Sequence, residues 1–469
     1  MIQNLFALLI VFSVVSCSTM TKQGKNPSVG EASSLSSLDL NLDVKKYTLE
    51  NGLRLLVVEN SRLPILSYYT FYDVGGRFES RERGTTGATH FLEHMMFKGA
   101  KKYGPGEIEK IIEGNGGNNN AYTTFDSTVY YESVPSSILD KIVDVEADRM
   151  QNLLLEEKSF ESERLVVLEE RKMRYENSPR GKLYQGMMKE VFRGTPYGGS
   201  VIGDEKDVKN LSREQMMEFF KTFYVPNNAI VVVVGDVKAS RVHRLVKEKY
   251  GKLKKSLTLD AQKKEIEGTN SYKIKPRRKK EVRINGTAPN PIFMVSYPGE
   301  PLGTRKAFVM DLLSSMLGGG ASSYLNQTYV ERKKPLFSSI SAANYNLKNS
   351  GLFFLAGSFV QGTSLSRLRK LVRKESKKFC SSKILTDRAL QKTLNQYLVD
   401  YYGELETNSG VASFVGMRES FFGDFNYYKK ELEIYSSISL DEIKTVCREI
   451  FVKSKPTIFH VWNKNPRKR

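Results

Sequence analysis

The sequence predicts an α+β protein built from two folded units. Three observations support this. The chain has 469 residues, enough for two or more domains with separate cores. Strand-like and helix-like stretches come in blocks, and the same style recurs in both halves. Between the halves, residues 255–283 are highly charged, poor in large apolar side chains, and contain Lys275-Pro276-Arg277-Arg278-Lys279-Lys280.

At the amino terminus, residues 5–15 form an apolar run broken only by Ser13. A bilayer span takes roughly 20 helical residues, so this run is too short to cross and fits the core of a signal peptide. Val14-Val15-Ser16-Cys17 resembles a bacterial lipoprotein cleavage box, which makes residues 1–17 the signal and Cys17 the lipidated first mature residue. The first residues carry no Lys or Arg, a departure from such signals; the alternative is a plain secretory signal cut elsewhere. Several acyl chains on one residue would anchor stably. Ser18 after the cysteine points to the outer membrane of a bacterial envelope, facing the periplasm. Residues 18–42 are polar and rich in Ser, Lys and Gly, a flexible tether.

The first domain is expected over residues 43–255. It opens with a hairpin, residues 47–49 and 53–58 around Glu50-Asn51-Gly52. Residues 118–133 are rich in Thr, Tyr and Val after a Gly-Asn turn and read as exposed strand. Residues 156–176 have helical periodicity without Gly or Pro; Leu165 and Leu168 are expected to face a core. Residues 256–284 read as a charged linker and residues 285–466 as the second domain. There, residues 293–297 predict a strand, 307–317 and 323–332 helices, 338–345 and 351–358 paired strands, and 457–462 a closing strand.

The chemistry is concentrated at His90-Phe91-Leu92-Glu93-His94. On a helix, positions i, i+3 and i+4 lie on one face, so two imidazoles and a carboxylate converge. That set suits a catalytic zinc with a general base beside it. The chain has four histidines, and a chance match to this pattern is expected roughly 0.002 times at this composition. A third ligand must come from elsewhere. Glu163 and Glu170 are two turns apart on the predicted helix and share a face, while Glu169 is turned towards solvent.

Beyond this motif, the run from Gly84 to Gly99, Asn120-Ala121-Tyr122-Thr123, Asp126-Ser127-Thr128-Val129-Tyr130-Tyr131, and Glu163-Arg164-x-Val166-Val167-x-x-Glu170 occur in order. Pro196-Tyr197-Gly198, Val201-Ile202-Gly203 and Tyr224-Val225-Pro226-Asn227-Asn228-Ala229 follow. Together these resemble the inverzincin zinc peptidases of the pitrilysin, insulinase and mitochondrial processing peptidase superfamily, most closely its bacterial two-domain members. The resemblance implies two homologous domains, each a mostly antiparallel sheet packed with helices, enclosing a substrate chamber. It implies one Zn2+ per chain held by His90, His94 and Glu170, with Glu93 as general base and Glu163 in support. It implies that Asn120 and Ala121 begin a strand beside an extended peptide or unfolded segment, bound by main-chain hydrogen bonds. The implied activity is endopeptidase; the alternative is a peptide-binding or scaffolding homologue acting with a partner subunit.

Two features qualify the resemblance. Gly318-Gly319-Gly320-Ala321-Ser322-Ser323 matches a glycine-rich segment that either lines the chamber or simply ends a helix. Many relatives carry an Arg and, seven residues later, a Tyr in the second domain; residues 330–338 lack that pair, and Tyr324 replaces another usual Arg. The chain therefore resembles a zinc-bearing partner, working as a homodimer or with an Arg/Tyr-bearing homologue. Cys380 and Cys447 are permitted to pair in a periplasm, but two unpaired thiols are the favoured reading of their spacing. The net charge of +20 comes without any nucleic-acid motif, so a solvated basic surface is expected and no nucleic-acid partner.

Overall fold

The computed structural model describes residues 40–269, 272–275 and 278–462. Its strands form two sheets. The first has the order β1-β2-β6-β3-β5-β4, from β1 (Val44–Thr48), β2 (Arg54–Glu59), β3 (Ile65–Tyr72), β4 (Asn118–Thr123), β5 (Thr128–Pro135) and β6 (Ala229–Gly235). The second has the order β7-β11-β8-β10-β9, from β7 (Glu281–Arg283), β8 (Ile292–Pro298), β9 (Phe337–Leu347), β10 (Ser350–Phe359) and β11 (Thr457–Val461). In the first, β2 and β6 are parallel and the other pairs antiparallel. In the second, β7 and β11 are parallel and the rest antiparallel. Leaving out β1, the two sheets share one topology, with β6 and β11 as equivalent late strands inserted beside the centre. The two-domain α+β expectation is met, and the halves are diverged copies.

The opening hairpin turns where expected, with Gly52 at a φ of +89°. The Asn51 amide donates to the Tyr250 and Leu253 carbonyls, tying this turn to the end of the helix Ala239–Tyr250.

β6 reads Ala-Ile-Val-Val-Val-Val-Gly and is buried throughout. An uninterrupted apolar strand means both faces are covered. Val231 and Val233 join the first half's own core, against its helices. Ile230, Val232 and Val234 meet Val411, Phe414 and Val415 of a helix from the second half, Asn408–Phe422. That crossing helix lies so close that a Cβ on Gly416 would sit 2.2 Å from the Phe71 ring. The exchange is reciprocal. The helix Pro179–Val191 of the first half places Leu183, Met187 and Met188 against Ile292, Phe354 and Phe459 of the second sheet. Lys46 and Arg54 reach Glu419 at 2.7 and 3.4 Å across the same junction. Each half thus buries the open sheet face of the other.

Several expectations are corrected. Residues 256–284 are not a bare linker: they hold the helix Leu259–Thr269 and strand β7, and Leu259 enters the first core. The end of the 18–42 tether is also held, Leu40 and Leu42 packing at the junction of the halves. Leu165 does not face a core; it is 65% exposed, and only Leu168 packs inward. The helix expected over residues 323–332 is Tyr324–Tyr329, which ends ahead of the like-charged run Arg332-Lys333-Lys334 and Pro335. The glycine-rich segment ends the helix Arg305–Gly318, with Gly320 at a φ of +78°. Cys380 and Cys447 form a disulfide, contrary to the favoured reading of two thiols, joining Ser376–Cys380 to the helix Leu440–Arg448.

Candidate metal centre

The motif lies on the helix Ala88–Met95. Its start needs glycine: Gly87 has a φ of +90°, and a Cβ there would sit 2.3 Å from the Ile202 carbonyl. The first N–H groups of a helix lack internal partners. Here the half-buried Glu79 carboxylate accepts two of them, from Gly87 at 2.7 Å and Thr89 at 2.8 Å. Burial nevertheless pushes the Glu79 carboxyl up to about 7.

His90, Glu93 and His94 emerge on one face, as the spacing requires. The His90 and His94 Nε2 atoms lie 3.5 and 3.3 Å from Glu170 Oε2, on the neighbouring helix Glu157–Arg171. One donor atom from each of the three residues falls within 4.8 Å of the others. Glu170 Oε2 is buried and accepts no hydrogen bond. Two imidazole nitrogens and an orphaned carboxylate oxygen converging on one point fit a zinc ion, with a fourth position left for water or substrate.

Two of the three ligand-type side chains, His94 and Glu170, are themselves held. Glu163 Oε1 binds His94 Nδ1 at 2.8 Å, and its other oxygen meets Lys98 at 2.8 Å. This orients the His94 ring and leaves Nε2 for the metal. Arg174 meets Glu170 Oε1 at 2.7 Å. Arg174 lies in a π-helical turn, Lys172–Glu176, that continues the helix; such widened turns recur at functional sites.

The electrostatics divide the two histidines. Burial, reinforced by the neighbouring His94, pushes His90 down to about 3. Burial also works to lower His94, but its hydrogen bond to Glu163 and the negative charge of the adjacent Glu170 carboxylate outweigh it and raise the ring to about 9. Burial works to raise Glu170, yet His94, His90 and Arg174 hold it down at about 2. Burial pushes Glu93 up to about 7, partly offset by a hydrogen bond from Thr123. A carboxyl near neutrality is suited to taking and returning a proton.

His90 and Glu93 line a cavity of about 360 Å³. Its walls come from both halves: Ala121, Thr123 and Phe125 from the first, Phe293, Tyr345 and Ala356 from the second. β4 is the edge strand of its sheet, so its free side is open to pairing. Ala121 lines the cavity; Asn120 does not, and its Oδ1 accepts the Ala121 N–H at 2.8 Å. The segment 318–323 contributes no lining residue among those described. Cys17 lies outside the described residues. Three contributors escaped sequence reasoning: Glu79, Arg174 and the hydroxyl role of Thr123. Thr123 sits inside a matched motif, but its contact with Glu93 joins residues 30 positions apart.

Comparisons with known proteins agree with this geometry. Residues 67–205 match the family model described as insulinase (peptidase family M16), and residues 210–397 match the one described as peptidase M16 inactive domain. The chain is 30% identical to the zinc protease PqqE of Helicobacter pylori over 425 residues, 88% of this chain and 91% of that protein. It is 31% identical to a probable mitochondrial-processing peptidase subunit beta of Arabidopsis thaliana over 318 residues, 66% of this chain and 58% of that one. Among solved structures, a protease from Helicobacter pylori superposes with a TM-score of 0.81 at 28% identity, covering 90% of this chain and 100% of that one. A peptidase M16 inactive domain from Pseudomonas fluorescens shares the fold, with a TM-score of 0.77 at 16% identity, over 91% and 99% of the two chains.

Proposed function

The chain belongs to peptidase family M16, and from that premise we propose that it is a zinc-dependent endopeptidase acting on peptides or unfolded segments held in extended form. The observation that carries this is the complete convergent set, His90, His94 and Glu170 around one point with Glu93 beside them on the cavity wall. When bound there, zinc supplies Lewis-acid polarisation of the scissile carbonyl and makes water acidic enough to ionise near neutrality. The remaining steps fall to the protein. Glu93 accepts a proton from the attacking water and returns it to the departing amine. Glu163 and Arg174 keep His94 and Glu170 in register. The edge of β4 takes the substrate backbone as an added strand, which reads extended conformation more than side-chain identity. Walls from both halves shield the reaction from bulk water.

Glu93→Gln is the decisive variant. It keeps shape and zinc but lacks the base, so the expected result is full zinc content with hydrolysis abolished. Hydrolysis surviving in this variant, or a wild type that never holds zinc, refutes the proposal. The second reading, a peptide-binding or scaffolding homologue, predicts peptide binding without turnover in the zinc-loaded wild type.

Partnership and location are part of the same proposal. The mitochondrial-processing peptidase relative is named as a subunit, and residues 330–338 of this chain lack the Arg/Tyr pair. Both support a homodimer or a heterodimer with an Arg/Tyr-bearing homologue. Full activity of the purified chain at low concentration would refute the need for one. A lipid-anchored location in the bacterial envelope is supported by the lipobox-like Cys17 and by the Cys380–Cys447 disulfide, which suits an oxidising compartment. Among the described residues no helix is long and apolar enough to cross a membrane. Mass analysis of the mature amino terminus tests the acyl modification of Cys17.

A further inference from the structure

We infer that Thr123 is a positioning residue for Glu93, fixing one carboxylate oxygen so that the other faces the reacting water; this rests on the peptidase reading above. Thr123 Oγ1 donates to Glu93 Oε2. Among the described hydrogen bonds it is the one donor to that carboxylate. A glutamate has several rotatable bonds, and a general base must be aimed before it is useful. Glu93 is 9% exposed, so water does little to hold it.

The anchor itself is rigid. Thr123 is β-branched, with a stiff first torsion. It ends β4, paired opposite Thr128 of β5. The loop that follows is clamped on every side. The Thr124 N–H donates to the Ser127 carbonyl at 2.8 Å, and the Gly76 and Arg77 N–H groups donate to the Thr124 and Phe125 carbonyls at 3.0 Å each. Gly75 permits this approach, since a Cβ there would meet the Thr124 carbonyl at 2.4 Å. Asp126 locks the loop from below. Its carboxylate pairs with Arg77 at 2.9 Å, accepts the Tyr197 hydroxyl at 2.9 Å, and accepts the Lys348 N–H of the β9–β10 turn at 3.2 Å. The second half thus grips the loop that follows the strand end carrying the hydroxyl. A hydroxyl merely satisfied at a strand end would need none of this: Thr123 points into the cavity, and its acceptor is the base.

The test compares Thr123→Val and Thr123→Ser in the full chain. Zinc affinity, thermal midpoint, KM and kcat are measured, with crystal structures of the zinc-free variants. The expected result for Thr123→Val is a kcat lower by on the order of 10- to 100-fold, the range seen when a supporting hydrogen bond is removed. Zinc affinity, midpoint and KM should stay within about threefold or a few degrees. Thr123→Ser should recover most of the rate, and Glu93 should show more than one conformer in the valine variant alone. A valine variant with near-normal kcat, a serine variant no better than valine, or a loss explained entirely by lost zinc overturns the inference. A zinc-loaded wild type without hydrolysis fails the peptidase reading instead, so the two failures are distinct.

Discussion

Zinc binding should displace a proton from His94. In the metal-free site the ring is raised to about 9, because its hydrogen bond to Glu163 and the adjacent Glu170 carboxylate outweigh burial. His90 is pushed down to about 3 and carries none. Zinc needs the lone pair on His94, so the proton and the metal compete. At pH 7 the protonated form therefore predominates by on the order of 100 to 1, which weakens zinc binding by a factor of the same order. Affinity should therefore climb about tenfold per pH unit from 7 towards 9 and then level. The sign for folding is the reverse. A raised histidine stabilises the metal-free fold fully below its ordinary 6.5, and that contribution is lost as pH rises through about 9. Titration calorimetry in buffers of different protonation enthalpy reads the released protons directly, and a competing chelator gives the affinity between pH 6.5 and 8.5. Glu163→Gln removes one of the two carboxylates that hold the proton. It should flatten the pH slope, and at high pH, where the proton no longer competes, weaken zinc by on the order of 10- to 100-fold through lost orientation. Negligible proton release at pH 7, or an affinity flat with pH, would refute the reasoning.

Two further predictions concern the frame around the site. Gly416→Ala forces a methyl into the Phe71 ring and should destabilise the junction of the halves by about 1–3 kcal/mol, read as a lower denaturation midpoint. An unchanged midpoint would mean the crossing helix is not seated on the first sheet. Cys447→Ser, or reduction, should remove about 2–4 kcal/mol of stability, measured by thermal unfolding with and without reductant. Equal midpoints in both conditions would show that the pair is not joined.

What the sequence determined by itself is what depends on spacing within one element. His90, Glu93 and His94 share a face because a helix repeats every 3.6 residues. Glu163 and Glu170 share one for the same reason, and Asn51-Gly52 turns a hairpin through the backbone freedom of glycine. Family resemblance extended this to the metal site and the paired domains. Composition misled where distant packing decides. A charged stretch holds a helix because Leu259 finds the first core, and Leu165 lies exposed on a helix whose buried side is set by Phe160, Glu163 and Val167. Tertiary structure alone brought Glu79 to the head of the motif helix, Thr123 to Glu93, Arg174 to Glu170, and Cys380 to Cys447. It also gave each sheet a cover from the opposite half. The physical reason is the same in each case. Local periodicity sets which way a side chain points from its own element, whereas the partner it meets depends on how distant elements pack.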